Sequence, residues 1–340
     1  MGQLETFLER YLPALREEMR AVVRVREPRQ APLFGMLRYH LGWVDALFQP
    51  CDARSGKQLR PLLCLLACEG CGGGWEQALP AAAAVELLHN FTLIHDDIED
   101  QDRTRRARPT VWSIWGEPQG INAGDTLFAL AQLAMLRLQG RDVPSTTVVE
   151  AMRLFNETCV DVTFGQYLDI CFESRNDVSV DDYLAMVEGK TGALMAGACQ
   201  IGALVAGAPN AQRDDVQAFG RHSGLAFQMW DDILGIWGDS DATGKPVGAD
   251  IARRKKTLPL LHGLERSAEL RSLLAREVLS SSDVRRATDL LEEKGSRDFA
   301  ERLAWGHHEQ ALAALDRAKL QHPADEVLRE LAQRLLRRKR

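Results

Sequence analysis

Apolar residues recur along the chain at helical spacing, and the strict alternation typical of a half-buried strand is hard to find. This pattern predicts an all-α protein with roughly a dozen helices. The predicted helices lie near residues 3–24, 32–48, 56–70, 80–104, 122–138, 146–172, 181–207, 211–238, 257–266, 283–294, 297–318 and 324–338.

The breaks between these helices fall at turn-rich positions such as 72–74, 116–118 and 207–209. No linker is long enough to separate domains, and no fixed-period repeat is present. The simplest architecture is therefore one domain over residues 1–340, a helical bundle with a central cavity. The uncharged segment 191–208 has four glycines and few large side chains, which favours a buried bundle helix over a membrane span.

Composition narrows the possible partners. Of 340 residues, 45% are hydrophobic and 26% are charged, and the net charge is −6. An acidic balance argues against nucleic acid, because nucleic-acid-binding proteins neutralise phosphate with a basic surface. Seven cysteines without a signal-peptide pattern at the start of the sequence predict a reduced, cytoplasmic protein.

Two acidic motifs carry the candidate chemistry. HDDIED contains Asp96, Asp97 and Asp100, and Asp96 and Asp100 are one helical turn apart on one face. WDDILG contains Asp231 and Asp232 among large apolar residues, where charged side chains are rarely buried unless they are paired or bind metal. Carboxylates together with substrate phosphates are the ligands that Mg²⁺ prefers.

Positive charge occurs in short clusters that suit anionic substrates. In GKQLRP, Lys57 and Arg60 stand at a predicted helix start, where backbone N–H groups also favour an anion. The other candidate cations lie close to the acidic motifs: two follow the first motif, one precedes the second and three follow the second. They are Arg105, Arg106, Lys190, Lys245, Lys255 and Lys256.

These motifs, in this order, resemble those of the trans-isoprenyl diphosphate synthases. The resemblance covers roughly residues 50–260 and rests on GKQLRP, ELLHNFTLIHDDIED with RRARPT, INAGDTLFALA, GQYLDI, EGKTGAL, FQMWDDILGIWGD and TGKPVGADIARRKKTLP. It implies a head-to-tail condensation, in which an allylic diphosphate ionises and isopentenyl diphosphate attacks the resulting cation. It also implies three Mg²⁺ ions per active site and a homodimer.

The resemblance assigns a role to each candidate residue. Asp96 and Asp100 would bind two Mg²⁺ ions with support from Asp97, and Asp231 would bind the third with help from Asp232. The residues expected to hold isopentenyl diphosphate are Lys57, Arg60, His89 and Arg106. Those expected at the allylic diphosphate are Arg105, Lys190, Lys255 and, close by, Lys245. Thr191, Gln228 and a backbone carbonyl near Lys190 would face the carbocation.

Product length is expected to depend on the residues before the first motif. Phe91 lies five positions before Asp96, with the smaller Thr92 next to it. In the family these positions form the floor of the product tunnel, so the resemblance favours a C20 geranylgeranyl product over a C15 farnesyl product.

One position departs from the family pattern. Gly235 replaces the last aspartate of the second motif, and Asp239 is a candidate for partial compensation. This departure leaves a terpene cyclase and a non-catalytic subunit open as alternatives.

Two further patterns indicate other site classes. Cys64, Cys68 and Cys71 have an iron–sulfur spacing, but the first two lie in an apolar helical run, which favours small buried residues. His95-Asp96 could be the HD pair of a metal-dependent phosphohydrolase, an assignment that would leave the second acidic motif without a role.

Overall fold

The computed structural model describes residues 2–53, 56, 58–238 and 248–336. Within these ranges regular structure is almost entirely helical, which confirms the all-α prediction. In the first half the helices are α1 (Gln3–Val22), α2 (Ala31–His40), α3 (Leu59–Gly70), α4 (Leu79–Glu99), α5 (Val111–Trp115), α6 (Glu117–Leu136), α7 (Ser145–Glu173) and α8 (Val180–Val187). In the second half they are α9 (Ala193–Val205), α10 (Asn210–Trp237), α11 (Ala249–Ala252), α12 (Leu258–Arg266), α13 (Ala268–Leu274), α14 (Ser281–Glu293), α15 (Ser296–Ala318) and α16 (Ala324–Leu336).

The residues group into two compact units. The first comprises Met1–Glu157, Gly197–Arg213 and Leu320–Asp325, and the second comprises Thr158–Ala196, Asp214–Lys319 and Glu326–Arg340. Each unit has its own apolar interior. Tyr11, Leu63, Leu66 and Leu87 are among the fully buried side chains of the first, and Phe172, Tyr183, Met229 and Leu258 belong to the core of the second. The single-domain assignment stays a prediction.

Helix α4 is the central element of the first unit. Pro80 stands in its first turn, where the fixed φ of proline suits a helix start. The alanines 81–84 that follow are completely buried and allow neighbouring helices to approach closely. On α6, a Cβ at Gly120 would lie 2.8 Å from Ile98 Cδ1, and one at Gly124 would lie 2.2 Å from His95 Nε2. These glycines let α6 pack against the last turns of α4, where the first acidic motif lies.

The predicted helix 80–104 ends earlier than expected, at Glu99. A short hairpin follows, in which β1 (Thr104–Arg105) pairs antiparallel with β2 (Arg108–Pro109). Its two turn residues, Arg106 and Ala107, have φ values of 53° and 61°. Such turns usually contain Gly or Asn, and the absence of both from RRARP explains why no hairpin was predicted here.

Three other predicted boundaries shift for local backbone reasons. The helix predicted at 32–48 ends at His40, and Gly42 follows with φ 80°. The helix predicted at 122 begins at Glu117, directly after Gly116 with φ 87°. The span 181–207 is interrupted by a π-helical turn at Glu188–Gly192.

The uncharged segment 191–208 lies mostly in α9, where Leu194, Met195, Ala198 and Ile201 are buried. Across the described ranges, no helix has both the length and the hydropathy needed to span a bilayer.

Candidate active site

The first acidic motif lies in the first unit at the carboxyl end of α4. Asp96 and Asp97 occupy the last turn, and Asp100 follows the helix with its N–H donating to the Asp96 carbonyl at 2.8 Å. Asp97 is 1% exposed, whereas Asp96 is partly exposed and Asp100 is exposed. The motif therefore presents two accessible carboxylates around a buried one.

Arg105 holds two of these carboxylates. The β1–β2 hairpin returns it to the end of α4, where Nε donates to Asp97 Oδ1 at 2.6 Å and Nη2 donates to Asp96 Oδ2 at 3.1 Å. Burial raises the pKa of Asp97 to about 6, and Arg105 partly opposes this shift. Arg105, expected at the allylic diphosphate, is thus the charge partner of the first motif in this structure.

A cationic cluster in the same unit meets α4 upstream of the acids, with Arg60 on α3, His89 on α4 and Arg106 in the turn of the β1–β2 hairpin. Arg60 Nη1 is 3.1 Å from His89 Nε2, and a Cβ at Gly56 would lie 2.6 Å from Arg106 Nη2. Burial, followed by the nearby arginines, lowers the pKa of His89 well below its usual value, so its ring is neutral and accepts from Arg60. Arg60, His89 and Arg106, predicted to bind one diphosphate, therefore lie together. Lys57 lies outside the described residues.

A buried carboxyl group adjoins this cluster. Glu86, one turn before His89 and Asn90 on α4, is 2% exposed. Asn90 Nδ2 donates to Glu86 Oε1 at 3.0 Å, and Glu86 Oε2 is buried with no hydrogen-bond partner in the described structure. Burial raises the pKa of Glu86 to about 7, although Arg60 and Arg106 act in the opposite direction. Sequence reasoning did not single out this residue.

The second acidic motif lies in the second unit on α10, and its two acids have different environments. Asp232 is 3% exposed and accepts hydrogen bonds from Tyr183 Oη at 2.7 Å, Gln228 Nε2 at 3.1 Å and the Leu258 N–H at 3.2 Å. Burial raises its pKa to about 6. Asp231 is partly exposed. Asp232 is thus held by protein groups, and Asp231 is the more accessible carboxylate.

The π-helical turn brings together the residues expected near a carbocation. Thr191 Oγ1 donates to Gln228 Oε1 at 3.1 Å, which links this turn to α10. A Cβ at Gly165 on α7 would lie 2.0 Å from the backbone nitrogen of Lys190, so only glycine fits at position 165. A π-helical turn shifts the hydrogen-bond register by one residue and is frequent at functional sites. Thr191 and Gln228 were both predicted to face the carbocation, and in the fold their side chains are in hydrogen-bond contact.

Two lysines of the second unit face acids. The Lys190 ammonium pairs with Asp169, which belongs to the GQYLDI motif on α7. For Lys255, burial lowers the pKa, but attraction from Asp232, Asp169 and Asp250 outweighs it and the net shift is upward. Lys245 and Asp239 lie outside the described residues.

The two expected chain-length residues point to different sides of α4. The Phe91 ring packs against the rings of His95 at 4.8 Å and Phe128 at 5.2 Å, on the side that meets α6. Thr92 Oγ1 donates to the His89 carbonyl at 2.8 Å. At about 100° per residue, Thr92 lies roughly 40° from Asp96 around the helix, and Phe91 roughly 140°.

The donor set fits a hard divalent cation. Asp97 Oδ2 is buried and accepts no hydrogen bond from any described residue, although an ionised carboxylate has room for several. No three His, Cys, Asp or Glu side chains of the described ranges form a preformed metal cage. Oxygen ligands from one or two carboxylates completed by substrate phosphates are typical of Mg²⁺.

The alternative site classes gain no support from the structure. Cys64 and Cys68 are buried on α3, and burial raises the pKa values of Cys68 and Cys71 to about 12, so these thiols stay protonated. His95 Nε2 lies 3.6 Å from Asp125 and 3.4 Å from the Ile121 carbonyl, with no second histidine completing an HD-type set in the described ranges.

Sequence reasoning missed three residues of these sites besides Glu86. Asp169 had a signal, because the quoted motif GQYLDI contains it. Tyr183, the partner of Asp232, had none, since a buried tyrosine is usual in a helical core. Asp250 lies within the quoted TGKPVGADIARRKKTLP, but its proximity to Gly235 depends on tertiary structure.

Known proteins match this chain over most of its length. The polyprenyl synthetase family model matches residues 42–291. The geranylgeranyl diphosphate synthase of Mycobacterium tuberculosis (strain H37Rv) is 45% identical over 297 residues, covering 86% of this chain and 84% of the relative. The (2E,6E)-farnesyl diphosphate synthase of the same organism is 41% identical over 314 residues, covering 90% and 85%.

Solved structures agree with these sequence matches. A polyprenyl synthetase from Streptomyces coelicolor A3(2) superposes with a TM-score of 0.90 at 37% identity, covering 98% of this chain and all of that one. A geranylgeranyl pyrophosphate synthase from Corynebacterium glutamicum, solved with isoprenyl diphosphate and magnesium, has a TM-score of 0.83 at 27% identity, covering 99% and 100%. The family match and the relatives together establish that this chain belongs to the polyprenyl synthetase family.

Proposed function

We propose that the protein is a short-chain prenyltransferase that condenses isopentenyl diphosphate head-to-tail with allylic diphosphates, releases diphosphate, and makes mainly the C20 product geranylgeranyl diphosphate. The observation that carries the proposal is the arrangement of charged side chains around α4 in the first unit. The cationic cluster of Arg60, His89 and Arg106 lies about two turns before the carboxylates Asp96 and Asp97. The first unit thus combines, around α4, a site for a diphosphate anion and a site for divalent cations.

The reaction breaks the C1–O bond of the allylic diphosphate and joins C1 to the terminal alkene carbon of isopentenyl diphosphate. A proton then leaves C2 of the isopentenyl unit, and the departing diphosphate can accept it. Negative charge develops on the leaving oxygen, so fixed cations are most effective beside that oxygen. Lys190, Lys255, Arg105 and Lys245 are proposed for this position, while Lys57, Arg60, His89 and Arg106 hold isopentenyl diphosphate.

We propose Mg²⁺ as the cofactor, with three ions per active site. Asp96 and Asp100 would hold two of them with Asp97 as support, and Asp231 would hold the third with Asp232 as support. When bound, the ions neutralise the diphosphate and stabilise its departure as Lewis acids. The buried Asp97 oxygen and the three hydrogen bonds on Asp232 suit these supporting roles, because both residues orient a more accessible neighbour.

The carbocation needs negative dipoles rather than cations. The Thr191 hydroxyl, the Gln228 side-chain carbonyl and a carbonyl of the π-helical turn are proposed to face it. Gln228 Nε2 is already fixed by Asp232, which orients its carbonyl. Phe91 and Thr92 are proposed to form the floor of the product tunnel.

We also propose a homodimer, supported by an apolar stripe on α7. Val160, Phe164 and Tyr167 are 68%, 55% and 60% exposed and recur at helical spacing on one face. Large exposed side chains in a continuous stripe are typical of a protein–protein interface. A cytoplasmic location is proposed because all seven cysteines are free thiols.

Product analysis tests this function and its alternatives. The purified chain is incubated with Mg²⁺, isopentenyl diphosphate and, in turn, the C5, C10 and C15 allylic diphosphates. We expect consumption of isopentenyl diphosphate and a C20 product. A C15 end product would indicate a farnesyl diphosphate synthase, and a cyclic hydrocarbon made without isopentenyl diphosphate would indicate a cyclase. No turnover by the chain alone, with activity on adding a homologous synthase, would indicate a non-catalytic subunit.

A further inference from the structure

The missing aspartate of the second acidic motif has a substitute in space. Gly235 stands where the family pattern has the last aspartate, and a Cβ at this position would lie 1.9 Å from Asp250 Oδ2. A side chain at position 235 would have to displace this carboxylate. The position beside Gly235 is therefore occupied by the carboxylate of another residue.

The backbone holds Asp250 at this place. The Gly248 N–H donates to the Ile236 carbonyl at 3.2 Å, so the chain returns to the end of α10 just before α11. Gly248 has φ 74°, and a Cβ there would lie 2.5 Å from Val284 Cγ1, which fixes this turn against α14. The Asp250 carbonyl accepts from the Lys255 N–H at 3.0 Å. Backbone hydrogen bonds thus hold the chain just before Asp250 and at Asp250 itself.

The location relative to Asp231 suits a shared cation. Positions 231 and 235 are four apart on α10, so their Cβ directions share one face at about 5–6 Å. The Asp250 carboxylate lies at the second of these positions. Asp232 is already engaged by Tyr183, Gln228 and Leu258. Asp231 and Asp250 are both partly exposed.

We propose that Asp250 supplies the carboxylate that Gly235 lacks, so that Asp231 and Asp250 together serve the divalent cation of the second motif. This inference rests on the proposed function, because it concerns the same cation site. It explains why glycine at position 235 does not remove an acid from this site. The acid comes from α11 instead of α10, and glycine at position 235 leaves room for it.

Moving the carboxylate from position 250 to position 235 and measuring metal binding tests the inference. Mn²⁺ replaces Mg²⁺, since the EPR signal of free Mn²⁺ reports binding, and inorganic diphosphate is the second probe. Asp250→Asn and Asp250→Gly should weaken the diphosphate-dependent binding of one Mn²⁺ by about 10- to 100-fold. Gly235→Asp in the Asp250→Gly background should restore most of that loss. Asp289→Asn, which removes an exposed acid on α14, is the matched control and should bind like the wild type.

Stability gives a second readout. Gly235→Ala and Gly235→Asp alone should each lower the melting temperature, since the new Cβ meets Asp250, and the Asp250→Gly background should tolerate both. The inference is overturned if Asp250→Asn binds Mn²⁺ like the wild type, or if the double variant binds no better than Asp250→Gly. Asp96→Asn separates this failure from that of the proposed function. If the wild type and Asp96→Asn bind Mn²⁺ with diphosphate equally poorly, the proposed cation site itself is wrong.

Discussion

Buried carboxyl groups have two different roles in the two candidate sites. Asp97 and Asp232 each lie beside a more accessible aspartate, and burial raises the pKa of each to about 6. Each also faces a cation, Arg105 or Lys255, that opposes the shift. Glu86 makes no ion pair within the described ranges; its side-chain hydrogen-bond partner is the neutral Asn90, and Arg60 and Arg106 act on its pKa through their charge. Its protonation should therefore respond to the charge of the neighbouring arginine cluster.

At the residue scale, Glu86 should make stability depend on pH. The pKa of this carboxyl rises from 4.5 to about 7 on folding, so the folded protein binds more protons than the unfolded chain between these values. Stability contributed by the group is therefore complete below about pH 4.5 and is lost as pH rises through 7, by roughly 3 kcal/mol.

Glu86→Gln should remove this pH dependence, because the amide keeps the shape and does not titrate. Urea unfolding of both proteins from pH 5 to 8 measures it, with Glu9→Gln on exposed α1 surface as the control. Wild-type stability should fall relative to the variant as pH rises. Parallel profiles for the wild type and Glu86→Gln would show that Glu86 does not titrate in this range.

At the element scale, one side of α4 carries the acids of the first motif and another packs against α6. Thr92 lies near the face of Asp96, whereas the Phe91 ring contacts Phe128 of α6. A hydrocarbon chain growing along α4 would therefore meet Thr92 on the same face as the acids and reach the Phe91–Phe128 contact only if it enters the space between α4 and α6.

This geometry predicts opposite effects of two substitutions on product length. Thr92→Phe should shorten the main product by at least one isoprene unit, since a ring fills the path beside the acids. Phe91→Ala should lengthen it by opening the contact with Phe128. Chromatography of the dephosphorylated products measures both, and Thr146→Phe at the exposed start of α7 is the control. Unchanged length in both variants would place the tunnel floor on another element.

The regular helices could be predicted from the sequence, whereas the irregular backbone between and within them could not. Helix periodicity predicted α1, α3, α7 and α10 with boundaries close to those observed, and the start but not the end of α4. It missed the hairpin that returns Arg105 to Asp96 and Asp97, because positive φ at Arg106 and Ala107 leaves no glycine or asparagine signal. It also could not place the π-helical turn within 181–207, since a one-residue register change hardly alters apolar periodicity.

At the scale of the whole molecule, the motifs predicted the family and most candidate site residues, while the partners of those residues required the fold. Arg60 and His89 are 29 positions apart and Tyr183 and Asp232 are 49 apart, yet each pair is in hydrogen-bond contact. The substitution of Asp250 for the missing motif acid is of the same kind. Such contacts depend on which helices pack together, and a single sequence does not encode that packing in any local pattern.

The central claim is that the carboxylates at the end of α4 hold the cations that remove diphosphate from the allylic substrate. The most direct measurement is the turnover of Asp96→Asn with Mg²⁺, isopentenyl diphosphate and the C15 allylic diphosphate, compared with the wild type and with Asp289→Asn. We predict that Asp96→Asn loses roughly 100-fold or more in kcat while keeping the wild-type melting temperature, and that Asp289→Asn is unaffected. Turnover of Asp96→Asn within a few-fold of the wild type would contradict the account.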